Sequence, residues 1–203
     1  MRPDLWKFER EVSARGFSQI AGIDEAGRGP LAGPVVSAAV ILPGDFDVQG
    51  VDDSKKLTPA RRDRLYSKIV DRARSVGVGI VDCGQIDRIN ILQAALLSMA
   101  KAAGKLDPAP DFLLIDGIFT IPSDTQQKAI PKGDSLSISI AAASIVAKVT
   151  RDRIMARYHA KFPEYGFDRH KGYPTRAHRE AIARYGISPI HRLTFKGVKE
   201  YAG

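Results

Sequence analysis

A single cysteine, Cys83, stands in 203 residues. One thiol closes no internal disulfide and anchors no zinc site of the CxxC kind, so a secreted disulfide scaffold and a zinc ribbon are both excluded. No apolar run approaches the roughly 18–20 residues that cross a bilayer, and no membrane partner is expected. The opening residues, Met1-Arg2-Pro3-Asp4-Leu5-Trp6-Lys7, hold no apolar stretch, so no secretory leader is expected either. The expected compartment is the cytoplasm. Repeats, low-complexity blocks and linker-like stretches are missing as well, and the length fits one domain.

Acid is in short supply. Asp and Glu number 23 against 31 Lys and Arg, a net charge of +8. A basic surface of that size suits a polyanion, most often nucleic acid, although a merely basic soluble protein has the same balance. Apolar residues make up 44% and charged residues 27%, enough for a packed core.

Pattern and punctuation predict the elements. Residues 4–15 read as a short helix with Leu5, Phe8 and Val12 on one face. Residues 19–26 read as a strand ending in a glycine turn, and the apolar run 34–42 as a buried strand. Thr58-Pro59 starts a helix running to about Ser75. Val76 to Cys83 is a further strand, and Asn90 caps a helix that ends near Gly104. Phe112 to Asp116 reads as a buried strand with an acidic last residue, and residues 126–131 as an edge strand. Residues 137–160 form a long helix with a small-residue face, Ala141 to Ser144 and Ala147. Thr175 to Tyr185 is the last helix, stopped by Gly186. The pattern is α/β: a mixed sheet with helices packed on it.

The chemistry lies in carboxylates set among apolar residues. Asp24 and Glu25 follow Ile20-Ala21-Gly22-Ile23, Asp116 ends Phe112–Ile115, and Asp134 sits in Lys132-Gly133-Asp134-Ser135. A buried carboxylate is costly unless paired or bound to a cation. Adjacent strand residues face opposite ways, so Asp24 and Glu25 serve one centre only near a strand end, or with Glu25 reaching round. Oxygen donors of this kind suit Mg²⁺ or Mn²⁺, and carboxylates with two such ions are the equipment of phosphodiester hydrolysis. Taken alone, Asp116 and Asp134 are more often cap or turn residues than ligands.

The segment Gly22 to Gly29 imitates a phosphate-binding P-loop, but Arg28-Gly29 stand where Lys and Ser/Thr are needed. Gly27 and Gly29 either let a ligand approach the backbone, with Arg28 adding a charged contact, or simply form a tight bend. Lys55 and Lys56 sit in a loop suited to phosphate contact or to plain solvation. Residues 165–176 interleave aromatic and basic side chains, a composition suited to stacking on sugars or bases, with Tyr173 at its centre. Lys148, Arg151 and Arg153 would line a nucleic-acid face or the solvent side of the long helix. His170 and His178 read as surface histidines without metal-ligand spacing. Ser144 has no base beside it in sequence and is rejected as a nucleophile.

The motif Gly22-Ile-Asp24-Glu25-Ala-Gly27-Arg28-Gly29-Pro-Leu-Ala-Gly-Pro-Val-Val resembles the opening signature of type 2 ribonuclease H, in its bacterial ribonuclease HII branch. Further matches follow in order: Asp53-Ser54-Lys55-Lys56-Leu57; Ile115-Asp116-Gly117; Lys132-Gly133-Asp134 with the helix 141–152; and Tyr165 to Thr175. The resemblance implies a ribonuclease H-like mixed β-sheet flanked by helices, with a core at about 18–155 and a C-terminal helical extension at about 156–203. It implies an endonuclease that hydrolyses the RNA strand of RNA–DNA hybrids. It further implies incision 5′ to single ribonucleotides in duplex DNA, leaving 3′-hydroxyl and 5′-phosphate ends, with two Mn²⁺ or Mg²⁺ ions. The family carboxylates fall on Asp24, Glu25, Asp116 and Asp134, the ribonucleotide-reading turn on Gly27, Arg28 and Gly29, and the junction-sensing tyrosine on Tyr173. The related ribonuclease HIII carries an extra N-terminal domain and a Glu at the fourth carboxylate, so the length and Asp134 point to HII. A monomer is expected. The rival readings are a nuclease of the same fold acting on all-DNA junctions and a non-catalytic hybrid-binding protein.

Overall fold

The computed structural model describes residues 4–47 and 58–202. Five strands form one mixed sheet. They are β1 (Ile20–Ala26), β2 (Val35–Ile41), β3 (Ser75–Val81), β4 (Phe112–Asp116) and β5 (Gln126–Ile130), in the order β3-β2-β1-β4-β5. The first three are antiparallel neighbours, while β4 pairs parallel with β1 and β5 parallel with β4. Among the described residues six α-helices accompany them: α1 (Lys7–Ser13), α2 (Pro59–Arg72), α3 (Cys83–Ala103), α4 (Ile138–Lys161), α5 (Phe167–His170) and α6 (Arg176–Tyr185).

Strand periodicity sorts the core into two layers. Ala38 and Val40 of β2 pack with Ala141, Ala142 and Ile145 of α4. The alternate residues Ala39 and Ile41 pack with Ala21, Ile23, Leu113 and Ile115 against Met99 and Ala102 of α3. Every residue of β2 is buried, which explains its unbroken apolar sequence. Small residues permit close approach on both faces. A Cβ on Gly22 would fall 2.1 Å from the backbone of Ser139 in α4, and one on Gly79 would fall 1.9 Å from the Ser98 carbonyl oxygen of α3. The N-terminus of α4 is held from outside: the buried Glu9 carboxylate of α1 accepts from the Ser137 and Ser139 hydroxyls at 2.6 Å each and from the Ser139 N–H at 3.1 Å.

The predicted elements are present, with boundaries corrected around β3: α2 ends at Arg72, so that Ser75 opens β3 instead of closing the helix. Cys83 opens α3 instead of ending β3, because Asp82 accepts from Gln85 N–H at 2.8 Å and caps the helix there. Asn90 does cap, its Oδ1 accepting from Leu92 and Gln93 N–H at 3.0 and 3.1 Å, but at a kink within α3 where its φ is +65°. Among the described residues no helix is long and apolar enough to cross a membrane.

Candidate active site

The parallel register of β1 and β4 builds the site. Pairing Ile23 with Ile115 brings Asp24 and Asp116 side by side one residue further, at the carboxyl ends of both strands. Gly22 faces α4, so by alternation Asp24 does too, and it accepts a hydrogen bond from the Ser144 hydroxyl of that helix. Glu25 starts from the opposite face. At the strand end its longer side chain still converges: one oxygen each from Asp24, Glu25 and Asp116 lies within 4.8 Å of the others. Asp134 follows on a 3₁₀ turn, Gly133–Ser135, and its backbone N–H donates to Asp116 Oδ1 at 3.4 Å. It is buried beside the three, but its carboxylate is not among the converging oxygens.

Electrostatics mark the cluster as strained. Burial is the first cause holding the Asp24 carboxyl well above its ordinary pKa, and the neighbouring Glu25 and Asp116 add to it. The Ser144 hydroxyl and the Glu25 N–H, which donates to Asp24 Oδ1 at 2.7 Å, oppose the shift. Burial also raises Glu25, against the opposing pull of Arg28, whose Nη1 lies 3.3 Å from Glu25 Oε1. Three converging oxygen donors, two of them held towards their protonated forms by burial and by the neighbouring carboxylate Asp116, suit a hard divalent cation. A cleft of about 320 Å³ opens beside them, lined by Glu25, Arg28, Leu96, Asp116, Phe119 and Lys132.

The glycine turn lies next to the acids. Gly27 has φ +101°, and a Cβ there would fall 2.1 Å from Arg151 Nε, so only glycine fits. Gly29 faces Tyr173: a Cβ on it would meet Tyr173 Cε1 at 3.6 Å. Tyr173 is 43% exposed and so available to a ligand. Lys55 and Lys56 lie outside the described residues.

Several polar residues have different places from those expected. Arg151 is fully buried, so it belongs to neither a nucleic-acid face nor the solvent side of α4. His178 is likewise buried, packed between His170 and His191. Arg192, also buried, and Ser144 as partner of Asp24 carried no sequence signal that separated them from ordinary surface or helix residues.

A mixed five-stranded sheet with carboxylates gathered at the ends of its central parallel strands defines a nuclease of the ribonuclease H-like fold. The family model for ribonuclease HII matches residues 21–198. The ribonuclease HII of Geobacter sulfurreducens is 60% identical over 202 residues, covering 100% of this chain and 93% of that protein. Among solved structures, the ribonuclease H2 of Pyrococcus horikoshii superposes with a TM-score of 0.76 at 29% identity, covering 91% of this chain and 97% of that one. The ribonuclease HII of Archaeoglobus fulgidus, solved in complex with PCNA, gives 0.75 at 30% identity over 88% and 96%. The chain belongs to the ribonuclease HII family, and it is a hydrolase, a metal-dependent nuclease by family.

Proposed function

We propose that this chain hydrolyses the RNA strand of RNA–DNA hybrids and incises duplex DNA on the 5′ side of single embedded ribonucleotides, leaving 3′-hydroxyl and 5′-phosphate ends. The observation that carries the reading is the convergence of Asp24, Glu25 and Asp116 within 4.8 Å, next to a glycine turn that faces Tyr173.

Asp24 and Asp116 would hold a divalent cation centrally, with Glu25 and Asp134 completing a pair of sites. Mn²⁺ or Mg²⁺ ions there supply activation of the attacking water and neutralisation of charge at the leaving oxygen. The protein's own part is orientation. Ser144 and the Glu25 N–H fix the rotamer of Asp24, and the Asp134 N–H steadies Asp116. The 2′-hydroxyl separates RNA from DNA at one nucleotide. Backbone groups of Gly27, Arg28 and Gly29 approach it closely because two of the three residues lack a side chain, and Arg28 adds charge for the adjoining phosphate. Tyr173, opposite Gly29, packs on the neighbouring sugar and favours one without a 2′-hydroxyl. Lys55 and Lys56 would contact phosphate. None of these contacts reads base identity.

The test is gel-resolved cleavage of a labelled duplex carrying one ribonucleotide, beside the same duplex in all-DNA form, with Mn²⁺, Mg²⁺ or chelator. Metal-dependent incision 5′ to the ribose, absent on all-DNA, is expected. Equal cutting of both duplexes would replace the reading with that of a DNA nuclease, and tight binding without cutting would replace it with a non-catalytic one.

A further inference from the structure

Two guanidinium groups are buried behind the glycine turn, Arg151 at 1% exposure and Arg192 at 0%. Burial lowers both, Arg151 to about 10 and Arg192 to about 9, so each is still charged at neutral pH. Among the described residues neither forms an ion pair; backbone carbonyls alone satisfy them. Arg151 donates to Pro34, Lys171 and Ala32 oxygens at 3.0, 2.9 and 3.1 Å. Arg192 donates from Nη2 to Gly27 O at 2.6 Å, from Nη1 to Arg28 O at 3.0 Å, and from Nε to Gly33 O at 3.0 Å. Burying a charge in this way is costly, and a neutral side chain would pack the space more cheaply. What the charge achieves here is directional.

In a trans peptide the carbonyl of one residue points opposite to the N–H of the next. With the Gly27 and Arg28 carbonyls turned inward to Arg192, the N–H groups of Arg28 and Gly29 are turned outward. Neither N–H donates to any partner among the described residues. The turn therefore shows two free donors on the side away from the guanidinium, backed by buried positive charge, and an oxygen-rich sugar–phosphate is the ligand they suit.

We infer that Arg192 is a positioning residue for sugar recognition: by holding the Gly27 and Arg28 carbonyls it aims the Arg28 and Gly29 N–H groups at the ribose and its phosphate. Arg151 braces the same unit, joining residues 32–34 to the segment that leads into Tyr173. The inference rests on the proposed ribonucleotide reading, which is why the wild-type enzyme is measured first on ribonucleotide and all-DNA duplexes. Equal cutting there defeats the functional reading itself.

The decisive variant is Arg192→Lys, which keeps a charge but loses the planar fork that spans two carbonyls. Its kcat/KM on the single-ribonucleotide duplex is expected to fall about 10–100-fold, the range for two misdirected hydrogen bonds. Mn²⁺ affinity by calorimetry and affinity for the all-DNA duplex should stay within about twofold of wild type. A kcat/KM within about threefold of wild type overturns the inference, as does a folded variant, by its circular dichroism and Tm, in which all three readouts fall together. Should Arg192→Lys fail to fold, Phe195→Leu replaces it. The Phe195 ring lies 4.9 Å from the guanidinium carbon and packs on the cluster of Leu31, Ile182 and Val198. The same selective loss, smaller in size, is expected, and undiminished discrimination in this variant sinks the proposal.

Discussion

Gly29 and Tyr173 face each other across a single van der Waals gap: a methyl group on Gly29 would sit 3.6 Å from Tyr173 Cε1. That spacing is ordinary packing, and the Gly29 backbone is not in the left-handed region, so an alanine fits the folded protein. On the proposed reading, the same methyl would occupy the space in which a sugar approaches the turn. Gly29→Ala should therefore melt within about 2 °C of wild type, yet lose at least about tenfold in kcat/KM on a ribonucleotide duplex. Gly27→Ala should behave differently, because φ +101° and the 2.1 Å approach to Arg151 make it a folding defect. Differential scanning fluorimetry beside single-turnover cleavage separates the two. Full activity in Gly29→Ala would show that nothing approaches the backbone there.

The acidic cluster predicts opposite effects on stability and activity. Asp24 is buried against Glu25 and Asp116, so neutralising it relieves repulsion that the apo-protein bears. Asp24→Asn keeps an acceptor for the Ser144 hydroxyl and the Glu25 N–H, and its amide can donate to the neighbouring carboxylates. In chelator its Tm should rise by about 2–4 °C, the worth of roughly 1 kcal/mol in a chain of this size. Cleavage should fall by about a thousandfold or more while duplex binding is largely kept. Near-wild-type turnover, or a lowered Tm, would contradict the arrangement.

Metal binding should reverse that ranking. A ligand at a hundred times its Kd stabilises the fold by about 2.7 kcal/mol. Saturating Mn²⁺ should accordingly raise the wild-type Tm by roughly 5–10 °C relative to chelator. Asp24→Asn and Asp116→Asn should lose most of this shift, since each removes one of three converging oxygens. Asp134→Asn should lose less, because its carboxylate stands outside the converging set. A shift of equal size in all four proteins would place the cation elsewhere.

Much of this site was legible because its chemistry breaks a local rule. Asp24, Glu25 and Asp116 are acids at the ends of apolar strands, a conflict that sequence alone displays. The small-residue face of α4 likewise announces close packing on the sheet. Other parts had no such mark. Arg151 reads as a surface residue and Arg192 draws no reading at all, because their partners include backbone carbonyls 117 and up to 165 positions away, and a carbonyl has no sequence signature. Ser144 was set aside as a nucleophile, which its chemistry supports, but its bond to Asp24 depends on how α4 docks. The start of α3 lies in Asp82, which caps the Gln85 N–H from inside the apolar run that reads as a strand.

The histidines behind Tyr173 predict how stability depends on pH. Ser188 N–H donates to His191 Nδ1 at 2.8 Å, so His191 carries its proton on Nε2 and donates it to His178 Nε2 at 3.0 Å. His178 then donates from Nδ1 to the Tyr173 carbonyl at 3.0 Å. Both rings are neutral in this chain, and a further proton on either would set two N–H groups against each other. Burial is the leading cause that lowers each to about 4. Unfolded histidine titrates near 6.5, so between pH 6.5 and 4 the unfolded state binds more protons. The stabilisation is complete above pH 6.5 and declines as pH falls through that window, by at most about 2 kcal/mol per histidine at pH 5. Asp24 and Glu25, whose raised values favour the fold at low pH, act in the other direction, so the histidine effect is isolated by difference. His191→Gln should flatten the fall in Tm between pH 7.5 and 5.0 relative to wild type, even if it lowers Tm at both. Parallel curves would mean that these rings accept their protons without cost, and that the chain ending at Tyr173 is not fixed in its tautomers.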